Sequence, residues 1–219
     1  MRLMREAFHE RLDSVFDDLA HICHLVRIAV EDATTALLES DAATAERVIT
    51  ADAEIDRARE MVEDKSFALL SLQAPVAGDL RLIVAGLRMV SELERMGDLS
   101  VHVAKIARLR VPNQAVPEEM RPTIARMAEV AEHMVEQLVS IISERDVDAA
   151  HELEQDDEEM DRLRRSSFTD LLSDDWTHGV EAAVDIALLG RYYERIADHA
   201  VSVANRVIFV VTGEHTPQD

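Results

Sequence analysis

Four pairs of acidic residues, each spaced by four positions, are the side chains whose types and spacing suggest chemistry. They are Asp52 with Asp56, Glu94 with Asp98, Asp157 with Asp161, and Glu194 with Asp198. In a helix, residues four apart lie on one face, so both carboxylates of a pair point the same way. Carboxylates on an inward face need a cation to offset their charge. All-oxygen ligand sets favour hard ions, so the pairs predict a divalent or trivalent metal such as Mg, Mn or Fe.

The four pairs occupy matching places in an internal repeat. The segment around Glu94 and Asp98 recurs 100 positions later, and the segment from Asp41 to Asp56 recurs 105 positions later. A period near 100 residues is too long for a solenoid and fits a duplicated unit of domain size. With 44 acidic residues in 219, single pairs also arise by chance on solvated faces. Their matched positions favour metal binding, and Arg95 and Arg195 are the alternative partners for these carboxylates.

Apolar residues spaced by three and four positions predict an all-α fold. Six long helices are expected, at about 5–39, 42–71, 79–111, 122–144, 147–172 and 180–211. Short connections make consecutive helices antiparallel. We therefore predict two pseudo-symmetric three-helix bundles at 1–111 and 123–212, a linker at 112–122 and a flexible tail at 213–219. Length alone also allows one continuous six-helix body.

Composition excludes several classes of function. The formal net charge is −21 at pH 7, which argues against nucleic acid as a partner because that affinity comes from basic side chains on phosphates. The charge favours basic protein partners and metal cations. Cys23 is the only cysteine, so no intrachain disulfide is possible, as expected in a reducing cytosol. No signal core or transmembrane segment is visible, and we expect a cytoplasmic protein.

No catalytic constellation is visible in the sequence. It has neither a Gly-rich phosphate loop nor a nucleophile elbow. His21 and His24 share a helical face but Cys23 does not, which disfavours a zinc site there. The motif Glu6-x-x-His9 copies half of a di-iron ligand set but occurs once. We expect no enzymatic activity, and two alternatives stay open: a carboxylate-bridged metal enzyme or store, and a metal-free helical interaction module.

Four longer runs carry a more specific pattern. They are Asp52-x-x-Ile-Asp56, Leu72-Gln-x-Pro-Val-Ala-x-Asp-Leu-Arg-x-Ile83, Leu93-Glu-Arg-Met-Gly-Asp98 and Glu194-Arg-Ile-Ala-Asp-His-Ala200. Together with the duplication, they resemble the PhoU family, the phosphate-uptake accessory regulators of bacteria. The resemblance covers nearly the whole chain, from about residue 5 to residue 211.

The resemblance implies a fold, a metal and a set of partners. It implies two three-helix bundles with metal clusters at the four acidic pairs, and a non-enzymatic role in the cytoplasm. PhoU-like proteins restrain phosphate-starvation signalling by linking the Pst phosphate ABC transporter to the PhoR sensor kinase, and they commonly form dimers. We therefore expect a negative regulator that binds a Pst-type transporter ATPase and a PhoR-type sensor histidine kinase, and that forms a homodimer.

Overall fold

The computed structural model describes residues 2–72, 75 and 77–214, and these form six α-helices without any strand. The helices are α1 Arg2–Glu39, α2 Ala42–Leu72, α3 Ala77–Arg110, α4 Arg121–Glu144, α5 Val147–Leu171 and α6 Gly179–Thr212. The all-α prediction is confirmed. The predicted linker also contains a short 3-10 helix, Glu118–Met120, that the sequence pattern did not indicate. Most of the predicted tail lies outside the described residues.

The same local chemistry separates the first two helices of each repeat. Ser40 and Arg145 adopt left-handed backbone conformations, with φ of 56° and 55°, which turn the chain out of the preceding helix. An aspartate follows each of them. The side chain of Asp146 accepts a hydrogen bond from the backbone N–H of Ala149 at 3.0 Å, and Asp41 caps α2 in the same way. Such caps satisfy N–H groups that have no partner inside the helix.

The two repeats pack together as one body. Helices α1, α2 and α3 pack against one another, as do α4, α5 and α6, so each repeat is a three-helix bundle. The bundles then meet where α1 packs on α4 and α3 packs on α6. Leu19, Leu93, Met134 and Ile196 belong to one apolar core that runs through both bundles. Within the described ranges, no helix is both long and apolar enough to cross a bilayer.

Helices α3 and α6 run antiparallel where the two bundles meet. Near the end of α3, Arg110 donates to both carboxylate oxygens of Asp185 near the start of α6, at 2.6 and 3.1 Å. At the other end, the Arg81 guanidinium lies 5.8 Å from the centre of the Phe209 ring. Asp185 is buried, so the two-pronged pairing supplies the charge compensation that a buried carboxylate requires. Equivalent stretches of the two helices thus face each other about a pseudo-twofold axis.

Candidate metal centres

The first acidic cluster comprises Asp52 and Asp56 on α2 and Glu94 and Asp98 on α3. Burial raises the pKa of Asp52, and the neighbouring carboxylates of Asp98, Asp56 and Glu94 raise it further. Burial also raises the pKa of Glu94, with a further contribution from Asp98. All four predicted residues therefore lie within electrostatic reach of one another, on two helices that pack together. Desolvation and like charge act in the same direction, because both disfavour the ionised form.

Gly97 allows α2 to pack closely against α3 at this cluster. A Cβ atom at this position would lie 3.0 Å from Ile55 Cδ1 and 3.5 Å from Asp52 Oδ1. The α2 side chains therefore occupy space that any residue larger than glycine would fill. The matching position in the second repeat is Ala197, which is fully buried. The α2–α3 contact therefore has a glycine at the position where the α5–α6 contact has an alanine.

Two arginines lie beside the first acidic cluster. Arg95 Nη1 donates to Asp98 at 3.1 Å, and Arg95 Nε lies 3.7 Å from Glu94, but this arginine side chain is 59% exposed. Arg59 is hydrogen bonded to Glu63, at 3.0 Å, one turn along its own helix. Both charges lower the pKa of Glu94 without cancelling the effects of burial and of Asp98. The first acidic cluster therefore keeps excess negative charge.

The four predicted residues of the second repeat, Asp157 and Asp161 on α5 and Glu194 and Asp198 on α6, are called the second acidic cluster, and arginines compensate its charge. The Glu194 side chain is only 9% exposed. Its Oε1 atom lies 3.1 Å from Arg164 Nη1, and its Oε2 atom accepts a hydrogen bond from Arg191. Asp161, in contrast, is 52% exposed and lies 3.9 Å from Arg165. The deepest carboxylate of the second cluster is thus already paired with two guanidinium groups.

The two clusters differ in how well they suit a metal ion. Across the described part of the chain, no three carboxylate, imidazole or thiol groups converge closely enough to hold an ion. In the first acidic cluster the donors are hard oxygens, and a cation would relieve the repulsion that raises the pKa of Asp52 and of Glu94. In the second cluster a cation would compete with Arg164 and Arg191. Metal binding at the eight acidic residues stays a prediction.

Inspection of the sequence missed the two arginines of the second cluster. Arg95 contacts Glu94 and Asp98, as the alternative interpretation expected, whereas Glu194 pairs with Arg164 and Arg191 rather than with Arg195. The spacing of Arg191 was an available signal, because a residue three positions before Glu194 lies on the same helical face.

The histidines and the cysteine of α1 do not form a site. Cys23 is fully buried, and burial raises the pKa of its thiol far above the usual range. His21 and His24 are exposed on the outside of the same helix. The thiol and the imidazoles therefore face different environments, as the helical spacing predicted, and Cys23 belongs to the apolar core.

Comparison with known proteins places this fold in a family. The family model described as the PhoU domain matches the chain twice, at residues 19–107 and 124–207. The chain therefore belongs to the PhoU family. The two separate matches also confirm the internal duplication that the acidic pairs indicated.

Relatives of similar length support the same assignment. The phosphate-specific transport system accessory protein PhoU homolog 2 of Mycobacterium tuberculosis is 47% identical over 210 residues, covering 96% of this chain and 99% of that protein. PhoU homolog 1 of Mycobacterium leprae is 46% identical over 216 residues, covering 99% and 97%. The crystal structure of PhoU from Pseudomonas aeruginosa superposes with a TM-score of 0.83 at 27% identity, covering 94% of this chain and all of that one.

Proposed function

We propose that this protein is a cytoplasmic regulator of phosphate uptake, accessory to a Pst-type phosphate transporter. It binds the transporter ATPase and a PhoR-type sensor histidine kinase, and it keeps phosphate-starvation signalling off while phosphate is plentiful. It acts by binding and does not turn over a substrate. The observation that carries this proposal is the similarity over nearly the whole chain, at 45–47% identity, to accessory proteins of phosphate-specific transport systems.

Its charge supports a role in binding proteins. The formal net charge of −21 favours a partner with a basic surface. Complementary charge contributes mainly to the association rate and to specificity. We expect binding to the ATPase and the kinase to weaken as salt rises, because exposed charges are screened beyond about 8 Å at physiological ionic strength. Surface-bound ATPase and kinase domains, titrated with this protein at increasing salt, would measure the effect.

The regulatory part of the proposal is tested in cells. Deleting the gene should derepress phosphate-starvation genes in phosphate-rich medium, and restoring the wild-type gene should return repression. Normal repression in a deletion strain that has no paralogue would refute the proposed role. Turnover or oxidation that depends on a bound metal would instead favour the alternative of a metal enzyme or store.

We also propose that the first acidic cluster binds a divalent or trivalent cation, Mg, Mn or Fe. Asp52 and Asp56 on α2 and Glu94 and Asp98 on α3 would draw closer together around the ion than they lie in this structure, so the ion would fasten the two helices together. The support is the excess negative charge at this point of the α2–α3 contact. A melting temperature that responds to none of these metals would favour the metal-free interaction module.

We further propose that the protein works as a homodimer, as the resemblance to PhoU implied. Light scattering coupled to size-exclusion chromatography measures the mass in solution directly. The expected value is close to twice the 24.5 kDa of one chain. A mass of a single chain across the accessible concentration range would contradict the dimer without affecting the metal proposal.

A further inference from the structure

The two acidic clusters occupy equivalent places in the duplicated fold but differ in the arginine side chains that contact them. We propose that in the second repeat two arginines take the place of a metal ion, so that ion pairs fasten α5 to α6. The cation of this chain then binds in the first repeat alone. This inference rests on the metal binding proposed for the first acidic cluster.

Arg59 and Arg164 occupy matching positions in the repeat but pair with different carboxylates. Arg59 Nη1 donates to Glu63 at 3.0 Å, one turn along the same helix. Four positions after Arg164 the sequence has Phe168, and the Arg164 guanidinium lies 5.6 Å from the centre of that ring. Because no carboxylate holds it on its own helix at that position, Arg164 reaches across to Glu194, at 3.1 Å.

The residue one turn before the glutamate of each cluster also differs between the two repeats. Arg191 donates to Glu194 from one turn earlier in α6. The residue 100 positions earlier, in the matching place of α3, is Ser91, which has a short and uncharged side chain. The second repeat therefore has a cation at a position where the first repeat has none. Both differences between the repeats increase the positive charge beside the same glutamate.

The two matching glutamates differ in their burial and in their ion pairs. The Glu194 side chain is 9% exposed and both of its oxygens contact guanidinium groups, whereas the Glu94 side chain is 22% exposed and contacts Arg95 at 3.7 Å. A metal ion at Glu194 would have to displace Arg164 and would then sit beside two positive charges, which repel it. In the first repeat, Glu94 has only the 3.7 Å contact with the exposed Arg95, so a cation meets weaker competition there. The α2–α3 contact therefore leaves Glu94 available to a metal ion, whereas at the α5–α6 contact two arginines already neutralise Glu194.

Counting bound Mn²⁺ tests the inference. Free Mn²⁺ is measured by electron paramagnetic resonance after equilibrium dialysis, in roughly 0.15 M salt to suppress weak binding to the acidic surface. We expect the wild-type chain to bind one Mn²⁺, and Asp52→Asn/Glu94→Gln to bind none. The variant Asp161→Asn/Asp198→Asn alters two exposed carboxylates, leaves buried Glu194 intact and should still bind one.

The decisive variant removes the two guanidinium groups. Arg164→Gln/Arg191→Gln should bind two Mn²⁺ per chain, and the milder Arg191→Gln should bind the second ion more weakly. The matched control is Arg88→Gln/Arg162→Gln, which removes two exposed arginines outside the Glu194 ion pairs and changes the net charge equally. It should bind one.

The outcomes separate this inference from the proposal on which it rests. Two Mn²⁺ per wild-type chain, one of them lost in Asp161→Asn/Asp198→Asn, would overturn the inference. An unchanged count in both variants that lack Arg191 would also overturn it. No Mn²⁺ on the wild type would refute the metal site of the first repeat, while a gain of one in Arg164→Gln/Arg191→Gln would still support the role of the arginines. No Mn²⁺ on any variant would refute both.

Discussion

Mn²⁺ should raise the melting temperature of the wild-type protein, and the variant Asp52→Asn/Glu94→Gln should abolish the rise. A ligand that binds only the folded state stabilises it by mass action, about 2.7 kcal/mol at about a hundredfold excess over the dissociation constant. For a chain of this length that free energy corresponds to roughly 5–10 °C. The variant replaces two carboxylate ligands with neutral amides, which bind a cation more weakly, and it removes the repulsion that the metal relieves. Thermal unfolding followed by circular dichroism, with Mn²⁺ or with a chelator, measures both effects.

A variant of the second cluster is the control for this experiment. Asp161→Asn/Asp198→Asn removes the same number of carboxylates from the equivalent cluster and should keep the full rise. Mg²⁺ and Fe²⁺ should be tested alongside Mn²⁺, because hard oxygen ligands accept each of them. A wild-type melting temperature that none of these ions changes would refute metal binding.

The same carboxylates should make the metal-free protein less stable as pH rises. The pKa values of Asp52 and Glu94 are raised in the folded state, so the folded protein binds their protons more tightly than the unfolded chain does. Their favourable contribution is complete below the unfolded pKa and is lost as pH rises through the folded pKa. In chelator at neutral pH, Asp52→Asn/Glu94→Gln should therefore be more stable than the wild type. The difference should shrink towards about pH 4, where the unfolded carboxylates also become protonated.

Gly97→Leu should destabilise the protein by about 1–3 kcal/mol and weaken its affinity for Mn²⁺. The added Cβ would lie 3.0 Å from Ile55 Cδ1 and 3.4 Å from Ile55 Cγ2, and the rest of the leucine needs space that α2 occupies. The two helices must separate, which moves Asp52 away from the carboxylates of α3. Replacing glycine within a helix recovers up to about 1 kcal/mol of helix propensity, which offsets part of the loss. Urea denaturation and Mn²⁺ titration measure the two effects.

Two other glycine variants serve as controls. Gly97→Ala should have a smaller effect than Gly97→Leu, because the nearest atom, Ile55 Cδ1, ends a side chain that can rotate away. Gly78 lies in the first turn of α3, where an added Cβ would meet no atom of another described element within 4 Å, so Gly78→Leu is a matched control. It should leave both stability and Mn²⁺ affinity close to those of the wild type. Equal behaviour of Gly97→Leu and Gly78→Leu would show that close helix packing does not position the cluster.

The helices and the first acidic cluster could be predicted from the sequence for a physical reason. Apolar spacing fixes which helical face is buried, and antiparallel neighbours then bring Asp52 and Asp56 of α2 opposite Glu94 and Asp98 of α3. Asp146 was recognisable as a break because an aspartate there can cap the next helix. Periodicity alone therefore predicted which acidic residues meet in the first repeat.

The sequence does not predict in the same way which arginines pair with the second acidic cluster. Whether Arg164 pairs along its own helix or across to Glu194 depends on its side-chain conformation and on the neighbouring Phe168. Helical spacing does not specify a choice between partners on two helices. The packing of one bundle on the other was likewise left open, because three-helix bundles of this length could pack together or stand apart.

The antiparallel packing of α3 on α6 gives one chain the geometry of a twofold dimer. In a dimer of identical subunits, every contact between residue i and residue j occurs twice, so neither half can change alone. Fusing the two halves removes that constraint. Glu92 Oε2 lies 2.6 Å from His199 Nδ1, whereas the matching positions hold Tyr192 and Leu99. In a duplicated chain, a mutation can thus alter one half of a symmetric scaffold without changing the other half.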